Sequence, residues 1–98
     1  MADVICVDGK FSKDALDIYA KYGIVTPVEN SIYTVRDVII NSIGKTGILL
    51  EEIVNPKLPE VHSIGMVGSM EPNWNIDRFR TLSGELLNIS QIKKQIYV

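Results

Sequence analysis

Cys6 and His62 are the single cysteine and single histidine of the chain, and would form a thiol–imidazole pair for nucleophilic catalysis if the fold joined them. A thiol becomes a nucleophile only beside a base or a positive charge, and nothing in the sequence places the two together. Cys6 stands between Ile5 and Val7, where a free cysteine is ordinarily an inert core residue. One cysteine and one histidine fall short of a tetrahedral metal set, and the carboxylates show no ligand spacing, so neither metal nor cofactor is expected. Glu51-Glu52 resembles an acid–base pair, but neighbouring strand residues point to opposite faces and cannot act on one substrate. The expected role of Glu52 is a surface ion pair with Arg36 across a hairpin.

Two glycine motifs suggest phosphate chemistry. Gly44-Lys45-Thr46 matches the end of a P-loop, but Ile39 occupies the place of its first glycine and a strand pattern follows instead of a helix. An ordinary hairpin turn is expected. Gly65-Met66-Val67-Gly68 has the spacing of a loop that clamps a nucleic-acid backbone, yet its variable positions are not basic and Pro72 blocks the helix that should follow. It reads as a turn. No enzymatic constellation emerges, and the expectation is a protein that is not an enzyme.

The remaining chemistry is that of contact. Trp74 and the run Asp77-Arg78-Phe79-Arg80 set aromatic area beside guanidinium groups, a combination that grips protein partners or stacks on bases. Phe79 reads as core, Trp74 as either core or contact. Trp74, Arg78 and Arg80, with Met66 and Met70 in the segment before them, are the candidate partner contacts.

Several short elements must position these residues. Val4 to Asp8 is a β-branched run ended by Gly9 and predicts a strand. Ser12 then stands as an N-cap, with Ala15, Leu16, Ile18, Tyr19 and Tyr22 at spacings of three and four before Gly23, so a helix is predicted over about 12–22. Residues 32–40 and 48–54 predict a hairpin. Both faces of its first strand are largely apolar, which requires cover on both sides or a bulge near Asp37. Residues 55–75, punctuated by Pro56, Pro59, Gly65, Gly68 and Pro72, form a β-excursion or a functional loop, with a hidden strand at about 61–67. Asn75 to Phe79 reads as a capped single turn before a short strand at 80–82. Ile89, Ile92 and Ile96 predict a helix over about 89–96, whose stripe, with Tyr97, covers either the core or a dimer face.

Ninety-eight residues support one small domain, with core strands at about 4–8, 32–54 and 70–82. A chain of this length buries roughly 60 to 68% of its unfolded surface, too little for a core plus a deep lidded cleft. Ten basic against twelve acidic side chains, five and six in each half, argue against an electrostatic partner. Nucleic-acid binding remains the alternative, and it needs Arg36, Arg78, Arg80, Lys93 and Lys94 on one side. No apolar stretch reaches membrane-spanning length, no signal peptide is apparent, and the single cysteine suits a reducing compartment, so a cytoplasmic protein without membrane partners is expected. The fold class expected is mainly β with short helices: a small bent antiparallel sheet or partly open barrel.

The runs Val4-Ile5-Cys6-Val7-Asp8, Tyr33-Thr34-Val35-Arg36, Gly47-Ile48-Leu49-Leu50-Glu51-Glu52-Ile53 and Arg78-Phe79-Arg80 are similar to a group of small uncharacterised proteins of phages, prophages and gut Bacteroidota. Members share a "C-x-D … Y-T-V … G-x-x-L-E-E-I … R-F-R" skeleton. The resemblance spans residues 4–8 and 32–82 and implies a Src-homology-3-like small barrel, with one turn preceding the closing strand. It brings no activity. The helix at 12–22, the 55–75 segment and the C-terminal helix are additions to the shorter members. The expected function is therefore a protein-interaction or self-associating module of phage or mobile-element origin.

Overall fold

A computed structural model describes residues 2–40, 44–58 and 71–97. Five strands, β1 (Ala2–Cys6), β2 (Ile32–Ile40), β3 (Thr46–Leu50), β4 (Trp74–Asn75) and β5 (Phe79–Arg80), form one antiparallel sheet in the order β4-β3-β2-β1-β5. The two edge strands are consecutive in sequence, separated only by the 3₁₀ turn Ile76–Arg78. So short a link between opposite edges requires the sheet to curl, and the result is a partly open barrel. The fold is thus mainly β with two short helices, α1 (Lys13–Tyr22) and α2 (Ile89–Ile96).

Alternation dictates the core. Ala2, Val4 and Cys6 of β1 face inward opposite Val35 and Tyr33 of β2, while Asp3 and Ile5 face outward opposite Thr34 and Ile32. Ile48, Leu50, Leu58 and Phe79 complete a cluster without exposed surface. Both helices are capped: Ser12 accepts from the Ala15 amide and Gly23 ends α1 in the left-handed region, as the sequence predicts, and Asn88 opens α2 by accepting from the Gln91 amide. α2 lays Ile92, with Ile96 at its edge, on β2 and β1, so its stripe covers the core and Tyr97 stays outside.

The bulge expected near Asp37 falls at Arg36: Val35 faces Leu50, Asp37 faces Leu49, and Arg36 is the extra residue. β3 ends at Leu50, four residues before the predicted end. Beyond it the Glu51 amide still donates to Thr34 O, but the next bond is made by a side chain, the Glu52 carboxylate accepting from the Thr34 amide at 2.7 Å. Gly47 allows a close approach, since a Cβ there would lie 1.9 Å from Asn73 Oδ1 and the Asn73 side chain would have to move. β1 runs two residues earlier than predicted, because the amides of Val7 and Asp8 both turn to Arg78 O. β5 likewise stops at Arg80 instead of 82, because the Thr81 amide turns to Glu85 O. The hidden strand at 61–67 lies outside the described residues.

Candidate functional site

Trp74 belongs to the core. It is 2% exposed and meets Phe11 and Tyr19 edge-on, with the three ring centroids 5.7 to 5.8 Å apart pairwise. The alternative of an exposed Trp74 contact is thereby corrected. A two-residue strand paired to Ile48 at a sheet edge could have pointed its indole either way, and the arrival of α1 and Phe11 over it decides for burial.

Arg78 braces its own chain. Its Cζ sits 4.0 Å from the Phe11 ring centroid, and Nη1 donates to Lys10 O at 2.6 Å and Asp8 O at 3.3 Å while pairing with the Asp8 carboxylate at 3.4 Å. Arg80 Nη1 donates to Asp77 O and Phe79 O. Both guanidinium groups thus hold backbone carbonyls around the 3₁₀ turn and its neighbours. Met66 and Met70 lie outside the described residues, as do His62 and the Gly65–Gly68 motif.

Arg36 does not meet Glu52. The bulge turns it instead to Leu50 O, reached by Nε at 2.8 Å, and to Glu71, reached by Nη2 at 2.5 Å. Glu71 also accepts from the Asn55 amide at 3.0 Å, and the Asn55 side chain pairs with both backbone groups of Val25. Three segments are tied through this one carboxylate. Glu52, the partner expected for Arg36, serves Thr34 instead: desolvation pulls the Glu52 carboxyl upward, but hydrogen bonds from the Thr34 and Glu52 amides and the Thr34 side chain outweigh it and hold the group below its ordinary range.

Cys6 is fully buried, and desolvation pushes its thiol above the ordinary value. The folded state therefore keeps the proton that the unfolded state releases near pH 8.5. Stability is unaffected below that pH and is lost as pH rises from there through the raised folded value. Denaturation midpoints measured on both sides of pH 8.5 should fall on the alkaline side, and Cys6→Ala should flatten the decline until the tyrosines titrate. An unchanged slope in Cys6→Ala would show that the thiol is not its source. Gly44-Lys45-Thr46 leads straight into β3, as expected of a hairpin turn. Among the described residues, no group of three His, Cys, Asp or Glu side chains could hold a metal ion, and no helix is long and apolar enough to cross a membrane.

What the sequence reading missed is an apolar surface on the β1–β2 connection. Val25 and Val28 are 59% and 60% exposed, Ile32 59%, and Val54 72%. Specific bonds place them. The Cys6 amide donates to Ser31 O and the Asn30 amide to Cys6 O, which lays residues 28–32 along the end of β1. Asn30 makes that turn in the left-handed region, at φ 70°. The Val28 amide donates to the Tyr33 hydroxyl, and Asn55 fastens Val25, bringing Val54 alongside. These residues share no period, which is why no pattern announces them; single valines flanking the buried Pro27 are the only sign. No family model, curated protein or solved structure matches this chain.

Proposed function

We infer that the protein is a non-enzymatic protein-interaction module on a Src-homology-3-like barrel, binding a partner through the apolar face of the β1–β2 connection. The observation that carries the reading is the exposure of Val25, Val28, Ile32 and Val54 on segments fastened to one another by hydrogen bonds. Contiguous exposed apolar surface, as distinct from scattered single residues, marks contact sites. The Src-homology-3 likeness is supported by the strand order and by the single 3₁₀ turn between the edge strands. A phage or mobile-element origin rests on the resemblance of the sequence runs, and a cytoplasmic location on the single, reduced Cys6. The nucleic-acid alternative is disfavoured by the arginines, since Arg36 and Arg78 are paired to carboxylates and Arg80 to backbone carbonyls.

The test is a cross-linking and sedimentation comparison of the wild type with Val28→Asp and Ile32→Asp. Both positions are exposed, so the variants should fold. Loss of a partner retained from the native host, or of a self-associated species at high concentration, supports the face. Retention of every contact by both variants overturns it. Salt-sensitive binding to single- or double-stranded oligonucleotides would install the alternative in its place.

A further inference from the structure

An open stretch of backbone lies on the other side of β1, at the place where β5 stops short. The amide and carbonyl of Cys6 face β2, through Ser31 and Asn30, while the Val7 amide faces the opposite way, to Arg78 O. Strand alternation then directs the amide and carbonyl of Ile5 and Asp3 toward β5. Ile5 finds Arg80 there, but among the described residues Asp3 finds no strand, because Thr81 turns its amide to Glu85 O and leaves the ladder. Beside that open position is a groove of about 250 Å³, lined by Asp3, Thr81, Leu87, Gln91, Ile92 and Gln95.

We propose that this groove binds a short extended peptide of a partner protein, which continues the β5 line by pairing with the backbone of Asp3. Three features define the occupant. The open donor and acceptor of Asp3 call for an extended backbone, as in other strand additions. The exposed Gln91 and Gln95, one turn apart on α2, offer amide groups to the far side of the same backbone, over a floor that includes Leu87 and Ile92. Asp3 is the one charged residue of the lining, and among the described residues its carboxylate is engaged only by the Thr34 hydroxyl, at 3.4 Å. The complement is a β-branched or small residue beside a lysine or arginine. The volume is below the roughly 300–1,000 Å³ of ordinary small-molecule sites, which also fits a segment of a few residues.

The experiment selects a random short-peptide display library on the whole chain and measures synthetic copies of the enriched peptides by fluorescence anisotropy. Enriched peptides should carry a basic residue next to Val, Ile or Thr. Binding should weaken about tenfold or more in Asp3→Lys and in Gln91→Trp, two exposed positions, each variant checked for an unchanged thermal midpoint. N-methylation of the peptide amides in turn should abolish binding at alternate positions only, and the Asp3 amide should become protected from hydrogen exchange in the complex. A library without enrichment, peptides indifferent to both variants, or binding indifferent to N-methylation overturns the proposal. Ile32→Asp, on the apolar face of the connection, should leave peptide binding intact, so failure of this groove and failure of that face are separately visible.

Discussion

Trp74→Ala should cost about 3–5 kcal/mol of folding stability, the range for removing a large aromatic side chain from a packed core. Small domains have only about 5–15 kcal/mol in total, so the variant should stand near the edge of unfolding at room temperature. The ring meets Phe11 and Tyr19 edge-on and is almost wholly buried, and both partners would be left facing a void. Phe11 also carries Arg78, so the brace on the 8–10 loop should loosen with it. Trp74→Phe keeps an aromatic ring and should cost clearly less. Because Trp74 is the only tryptophan, circular dichroism is the probe of choice. A Trp74→Ala chain with its thermal midpoint near that of wild type would show that the cluster is not what holds β4 to the barrel.

Glu71→Ala should be the second most damaging change, at about 2–3 kcal/mol. The carboxylate is 17% exposed and its partner guanidinium 27%, so water replaces the lost bonds poorly. Among the described residues, removing it leaves Arg36 at the bulge with only Leu50 O, and leaves the Asn55 amide without its acceptor. Arg36→Ala should cost less, since Glu71 would keep Asn55. The double variant should be less damaged than the sum of the two, with a coupling on the order of 1 kcal/mol or more. Urea denaturation at constant slope measures each corner of the cycle. Additive effects would mean that the ion pair contributes nothing beyond its separate backbone contacts.

Both predictions concern residues whose types are plain in the sequence and whose roles are not. The helices, their caps and the approximate positions of the main strands are legible in the sequence by itself. Ser12 and Gly23 bound α1, Asn88 opens α2, Asn75 caps the 3₁₀ turn, and the double-faced apolar pattern of residues 32–40 called for cover on both sides or a bulge near Asp37, of which the bulge occurs at Arg36. These are local signals: caps, left-handed glycines and side-chain period act within a few residues, so they can be read along the chain. The tertiary structure alone decided who meets whom. Glu52 and Arg36 have the right charges for a pair, but one extra residue in β2 rotates Arg36 toward Glu71, thirty-five residues away, and leaves Glu52 to replace a ladder bond at Thr34. Trp74 could serve surface or core equally well until α1 closed over it, and residues 25 and 55 meet only because the Asn55 side chain pairs with both backbone groups of Val25 across thirty residues. Such pairings depend on chain closure over long separations, and no local rule encodes which of two chemically acceptable partners lies nearer.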